Sequence, residues 1–248
     1  MSAPTFERAA PLFFEQRVDS TNLWLRRRIG ELEDGAAVVA FEQSAGRGRS
    51  GRSFLSPEGG LYLSVLLRPE TEPERLPTLT PLAALAVCRA VEAVCGLRSA
   101  IKWPNDVVLG GKKICGILVE SVLGGERPCV IVGVGVNANT PAFPEELREI
   151  AGSVAAVLGH EIDLNALAAA LLEELDALYA AWLADEGCGL AEYRARCLTL
   201  GREVAVGDRR GTARAVGDDY SLLVEWPDGS VESLRFGEVS VRGLYGYV

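Results

Sequence analysis

Between residues 101 and 137 the chain packs four strand-like runs into one short stretch: IKW, DVVL, KKICGILVESVL and CVIVGVGVN, joined by Gly110-Gly111 and by Gly124-Gly125-Glu126. Glycine pairs supply the backbone conformations that tight hairpin turns need, so runs joined this way predict an antiparallel meander. Such a sheet must bury at least one face. The segments on either side can cover it: residues 77–94 place Leu79, Leu82, Leu85, Ala86 and Val91 at helical spacing, and Leu164, Leu167, Leu171, Leu175, Leu178 and Trp182 step by three and four behind Asp163, a plausible N-cap. A further helical run spans 190–200. Upstream, a strand over 12–17 leads into Asp19-Ser20-Thr21-Asn22, which offers several N-cap residues to a helix containing Leu23, Trp24 and Leu25. AAVVAFE and LYLSVLL read as two more strands. The fold class implied is α+β, with a mixed, largely antiparallel central sheet flanked by helices.

Beyond Gly201 the character changes. Short strands, EVAV, GTARAVG, YSLLVEW, SVESLRF and EVSVRGL, are separated by Gly207-Asp208, Asp218-Asp219 and Pro227-Asp228-Gly229. This spacing predicts a small all-β barrel over residues 201–248, appended to a domain over residues 1–200.

Charge narrows the function. With 25 Lys+Arg against 34 Asp+Glu the chain carries a net charge of −9, which argues against a nucleic-acid binder because phosphate neutralisation needs a basic face. Apolar residues at 48% and charged residues at 24% are the balance of a folded globular protein. No uninterrupted apolar run approaches a membrane span, and the first residues, MSAPTFERAA, lack a signal-like pattern, so a cytoplasmic protein is expected. The cysteines at 88, 95, 115, 129, 188 and 197 show no ligand spacing, and His160 is the single histidine; reduced, non-catalytic thiols and no zinc site are expected.

Against this acidic background two short segments concentrate cations. Gly46-Arg47-Gly48-Arg49-Ser50-Gly51-Arg52-Ser53 formally matches a dinucleotide fingerprint and a P-loop with Arg in place of Lys. Both require a helix starting at the loop, and SFLSPEGG is a poor helix start. A protein-kinase glycine loop fails for want of an H-R-D segment, since Glu161 follows His160. What survives is physical: glycines allow close backbone approach, and guanidiniums supply forked donors for phosphate or carboxylate. The second segment is Lys102-Trp103-Pro104-Asn105-Asp106, followed by Lys112-Lys113 and Gly116. Asp106 and Lys113 stand on opposite arms of the predicted hairpin, able to face one site. Arg47, Arg49, Arg52, Lys102, Lys112 and Lys113 together predict a local site for a small polyanion.

GRGRSGRSF, KWPNDVVL with GGKKICGILVE behind it, the earlier DSTN and the later VGVGVNAN occur in the order and spacing of the biotin protein ligases, which this chain resembles. The likeness is specific over about residues 12–139, generic over the long helix, and moderate in the final segment, which is similar to the family's SH3-like barrel. It implies a class II synthetase-like catalytic domain that joins biotin and ATP, with Mg2+, into biotinyl-5′-AMP and then acylates a lysine of a biotin carboxyl carrier protein or domain. By position, Ser20, Thr21, Asn22, Gln43, Arg47, Gly48, Arg49, Lys113 and Gly116 match the biotin pocket. Arg49, Arg52, Trp103, Asn105, Lys113 and Asn137 match the ATP site, and Arg49, Lys113 and Asp106 the catalytic set. Metal ligands are not assignable. Phe54 stands where many relatives carry Trp, Cys115 fills a small-residue position, and Asp219-Tyr220-Ser221 replaces a glycine-containing turn. Since only 19 residues precede Ser20, a monofunctional ligase without an N-terminal winged-helix, DNA-binding domain is expected. Relatives pair through their sheets, and the sequence leaves monomer and homodimer both open. The rival readings are a lipoate ligase or octanoyltransferase of the same superfamily, a biotin or nucleotide sensor, and an RNA-binding module.

Overall fold

The structure is a computed structural model that describes residues 9–122, 129–184, 189–235 and 242–243. Its larger sheet has seven strands in the order β1-β2-β3-β7-β6-β5-β4. Strands β1 (Leu12–Glu15) and β2 (Ala37–Ala40) pair in parallel, connected through helix α1 (Thr21–Arg26). All other pairs are antiparallel: β2 with β3 (Leu61–Leu67), β3 with β7 (Cys129–Val136), β7 with β6 (Lys112–Val122), β6 with β5 (Asp106–Leu109), and β5 with β4 (Ala100–Lys102). The Gly110-Gly111 turn forms as expected, with φ of 58° and 79°, a pairing only glycine adopts without steric cost. The expected turn at Gly124-Gly125-Glu126 lies outside the described residues.

One face of this sheet is covered by α2 (Leu79–Cys95), on which α4 (Leu164–Leu183) packs. Helix α2 begins two residues later than the spacing predicts, because Pro73–Thr78 forms a 3-10 turn first; Pro81 then falls in the first α turn, where its missing N–H costs nothing. The apolar helix Pro73–Cys95 is long enough to cross a membrane, but 67% of its most apolar window is buried inside this fold, as befits a core helix. Asp163 caps α4 as expected, its carboxylate accepting from the N–H groups of Asn165 and Ala166. Helix α3 covers Val154–Leu158, and α5 (Leu190–Arg196) stops short of the expected residue 200 because Cys197 turns extended to bridge Ile101, whose carbonyl accepts from Leu198 N–H at 2.9 Å.

The opposite face is divided. Alternation along β7 sends Val130, Val132, Val134 and Val136 into the main core. On the other side Cys129 and Ile131 pack beneath α1 with Trp24, Leu25, Val38 and Leu66, and are followed on that same face by Gly133 and Gly135. The covered half thus gives way to a stretch with no side chains at all.

The C-terminal sheet is antiparallel, in the order β11-β10-β9-β8-β12, built from β8 (Glu203–Val206), β9 (Arg209–Val216), β10 (Leu222–Glu225), β11 (Val231–Leu234) and β12 (Arg242–Gly243). It is separate from the larger sheet and compatible with an SH3-like domain. Most of the expected strand EVSVRGL lies outside the described residues. Val204, Ala213, Leu222, Val224 and Leu234 form its interior. The two sheets are joined at Trp103, whose indole N–H donates to Tyr220 O at 2.9 Å and whose backbone N–H donates to Thr199 Oγ1 at 3.0 Å. Tyr220 occupies the left-handed region at φ 61°, and its ring stacks edge-on with Tyr193 at 5.3 Å.

Candidate active site

The bare stretch of β6 and β7 is the floor of a cleft that opens to solvent. Gly116 lies opposite Gly135 and Leu118 opposite Gly133, so three of the four facing positions are glycine. Space above them is already allotted. A Cβ on Gly135 would sit 2.6 Å from the Phe54 ring, one on Gly116 would sit 3.0 Å from the same ring and 3.2 Å from Lys113 Nζ, and one on Gly133 would overlap Asn22 Oδ1.

At one end of the cleft the DSTN loop delivers its side chains. Ser20 takes the N-cap position of α1 yet makes no side-chain cap bond, so the expected capping role is not where this polar cluster is spent. Thr21 donates through its N–H (2.9 Å) and hydroxyl (3.2 Å) to Gln43 Oε1. Gln43 Nε2 donates to Ser56 Oγ at 2.9 Å, and Ser56 to Phe54 O at 2.9 Å, which fixes the amide's orientation and ties down the base of the arginine loop. Asn22 Oδ1 accepts from Ser64 Oγ at 2.6 Å, and its Nδ2 donates to Glu120 Oε2 at 2.7 Å.

The other end is charged. Lys113 Nζ stands 2.7 Å from Asp106 Oδ1, so the two residues predicted to face one site do so. A bulge makes this geometry: Val107 pairs with Cys115 but Val108 with Lys113, leaving Ile114 as the extra residue and turning the Lys113 side chain onto the face of Asp106. The freed carbonyl of Ile114 accepts from Asn137 N–H at 2.7 Å. Asn105 donates to Asp106 Oδ1 (3.2 Å) and Ile117 O (3.1 Å), while its Oδ1 accepts from Arg49 at 3.0 Å.

Between the ends the arginine loop forms a small hairpin, with Gly48 N–H donating to Arg52 O at 2.7 Å and Phe54 N–H to Gly46 O at 2.9 Å; Ser50 is left-handed at φ 56°. Its two inner arginines reach opposite ends of the cleft: Arg47 pairs with Glu120 at 3.1 Å, and Arg49 with Asn105. Burial lowers the Arg49 pKa, partly offset by Asp106, and burial likewise lowers that of Lys102, which is paired with Asp106 across β4 and β5. A desolvated guanidinium whose hydrogen-bond partner is a neutral amide is electrostatically suited to an incoming anion.

Ser20, Thr21, Asn22, Gln43, Arg47, Gly48, Arg49, Asn105, Lys113 and Gly116 therefore all line one cleft. Asp106 joins it through Lys113 and Asn105. Three predicted residues stand elsewhere. Arg52 is exposed at the foot of the loop, Trp103 is buried against the C-terminal sheet rather than facing a ligand, and Asn137 is buried behind the bulge with its Oδ1 unpartnered. The sequence reading passed over Ser64, Glu120, Gly133 and Gly135. The alternation in VGVGV, which leaves one strand face without side chains, is the signal that marks the last two. The thiols are as expected for the five cysteines described: all are free, and burial pushes Cys88 up to about 11. Cys188 lies outside the described residues.

A family model described as the Biotin/lipoate A/B protein ligase family matches residues 14–137, half of the chain and the part that builds this cleft. The chain belongs to that family. It is 36% identical over 232 residues to the biotin–[acetyl-CoA-carboxylase] ligase of Paracoccus denitrificans, covering 86% of this chain and 93% of that one. It is 45% identical over 134 residues to the bifunctional ligase/repressor BirA of Bacillus spizizenii, where the match covers 52% of this chain and 41% of the relative. The chain thus spans less than half of that longer relative. The fold is that of a biotin protein ligase: the enzyme from Aquifex aeolicus, solved in complex with biotin and ATP, superposes with a TM-score of 0.83 at 30% identity, covering 94% of this chain and 99% of that one.

Proposed function

We propose that the protein activates biotin with ATP, giving biotinyl-5′-adenylate and pyrophosphate, and transfers the biotinyl group to a lysine of a biotin carboxyl carrier protein. The observation that carries this reading is the placement of Arg49 and Lys113 at one end of a glycine-floored cleft whose other end is a neutral hydrogen-bonding cluster. Biotin offers complementary ends: a polar, uncharged ureido group for Thr21, Asn22 and Gln43, and a carboxylate for the cations. In the first step a carboxylate oxygen attacks the α-phosphorus and pyrophosphate leaves. Two anions must approach, and Lys113 and Arg49 lower their repulsion at fixed positions, a contribution of about 10²- to 10³-fold in rate for each such preorganised donor.

In the second step a carrier lysine amine attacks the mixed anhydride and AMP leaves. Asp106, held beside Lys113 and Asn105, orients that amine. Arg47 and Gly48 cover the intermediate and exclude water. Magnesium accompanies the phosphates of ATP as part of that substrate. Residues 1–200 form the catalytic domain and 201–248 the small β domain. The net charge of −9 supports a ligase that does not engage DNA.

Biotin-dependent pyrophosphate release from ATP, followed by mass spectrometry of a carrier domain, tests the reading. A carrier mass increased by one biotinyl group is the expected result. Modification with lipoate or octanoate in place of biotin would move the protein to the sister branch of the family.

A further inference from the structure

Glu120 is a half-buried carboxylate at the end of the glycine floor, and neither of the chemical steps above uses it. Its strand places Gly116, Leu118 and Glu120 on one face, so it is the first side chain beyond the floor able to reach over it. Its two oxygens are divided between two elements. Oε2 accepts from Asn22 Nδ2 on α1 at 2.7 Å, and Oε1 receives Arg47 of the arginine loop at 3.1 Å. The other attachments of that loop run through Arg49 to Asn105, and through Ser56 and Gln43 at its base. Glu120 is thus the point where the neutral end of the cleft and the outer part of the loop are held by the same group.

We infer that Glu120 is a positioning residue, a latch that closes the arginine loop over the cleft only while Asn22 is held in its ligand-facing orientation. Its retention role rests on the proposed adenylation, since what the closed loop would keep in place is the biotinyl-adenylate. The latch itself is a property of the free protein. Asn22 cannot turn away without abandoning the hydrogen bond from Ser64, so the carboxylate that holds it is fixed in turn, and Arg47 finds its partner already oriented.

Glu120→Gln separates the two contacts. The amide oxygen can still accept from Asn22, while the charge that holds Arg47 is gone. Two readouts follow. In the ligand-free protein, tryptic cleavage after Arg49 and Arg52 should accelerate about tenfold, the loss expected for one charge-assisted hydrogen bond, while cleavage elsewhere in the fold stays at the parental rate. In a carrier-free assay, release of biotinyl-adenylate into solution should rise by a similar factor, with the KM for biotin changed less than about twofold. Arg47→Gln should reproduce the faster loop cleavage and the adenylate release, and in both readouts the double variant should be no worse than the more affected single one, because the same pair is broken. Unchanged loop cleavage in Glu120→Gln, or additive effects in the double variant, would overturn the latch. If Glu120→Gln does not fold, Arg47→Gln carries the proteolytic test from the exposed side of the pair. Absence of any adenylate from the parent protein would instead sink the proposed reaction, and the proteolysis would still decide the latch.

Discussion

The C-terminal sheet and the loop over the cleft of the larger sheet both carry arginines, and they use them in opposite ways. In the C-terminal sheet Arg209 pairs with Glu232 at 2.9 Å, Arg214 with Glu225, Arg235 with Asp219 at 3.6 Å and, more loosely, Arg210 with Glu203 at 4.0 Å, nearly all on exposed side chains. Such solvated pairs contribute little to stability, and each of these four guanidiniums already faces a carboxylate. In the cleft of the larger sheet Arg49 is desolvated and bonded to an amide, and Lys113 shares its carboxylate with Asn105. The lesson is that counting cations says little about function. What distinguishes a binding arginine is burial beside a neutral partner, and Arg209, Arg210, Arg214 and Arg235 lack it.

The sharpest break of this comparison is by truncation of the cations themselves. Arg49→Ala and Lys113→Ala should each depress biotin-dependent pyrophosphate release about 10²- to 10³-fold while leaving the melting temperature near that of the parent. Arg214→Ala should change the same rate less than about twofold. Parental pyrophosphate release in either cleft variant would remove that residue from the first step and erase the distinction between the two arginine sets.

Glycines extend the contrast. A Cβ at Gly211 would lie 2.7 Å from Glu225 O and 2.8 Å from the Trp226 ring, whereas one at Gly133 would overlap Asn22 Oδ1. Both Gly→Ala changes should cost about 1–3 kcal/mol of stability through overpacking. Only Gly133→Ala should also weaken biotin binding, by about tenfold or more, because the atom it displaces belongs to the neutral end of the cleft. Calorimetric titration of biotin against both folded variants checks this, and equal affinities would show that the floor is glycine-paved for packing alone.

Asp106 sharpens the comparison within the cleft. Asp106→Asn removes the charge beside Lys113 but retains an acceptor, so adenylate should still form, while transfer from preformed biotinyl-adenylate to a carrier domain should fall by about tenfold or more. Transfer at the parental rate would rule the orienting role out.

Much of this arrangement is legible in the sequence where the signal is local. Asp163 as an N-cap, the 3–4 stepping of α4 and the Gly110-Gly111 turn are set by neighbours within a few residues, and all appear as expected. The cleft lining is legible because its residues lie in dense motifs. What escapes depends on pairing between distant segments. Nothing in KKICG announces that Ile114 becomes a bulge residue and so aims Lys113; that follows from its partner strand. Trp103, which the resemblance assigns to the ATP site, lies buried in the core, where Tyr220, from a separate sheet and remote in sequence, takes its N–H. Glu120 looks like the polar end of an apolar strand until Asn22 and Arg47, remote in sequence, meet it.

The smallest effect concerns the loop that enters the cleft. Arg27 forms two hydrogen bonds to Asp19, at 2.6 and 2.8 Å, and this pairing lowers the Asp19 pKa from 3.8 to about 2. For a carboxylate depressed on folding, the stabilisation is fully present above the unfolded value of 3.8 and is lost as pH falls toward 2. The pair is largely solvent-exposed, so its contribution is much screened, like those of the C-terminal sheet. Arg27→Ala should therefore lower the melting temperature slightly at pH 5 to 7, and the difference should vanish as the pH approaches 2. Melting curves across that range decide the matter. A gap that persists at the acid end would assign the Arg27 contribution to packing rather than charge, and would make the entry to the cleft unlike the surface pairs of the second sheet.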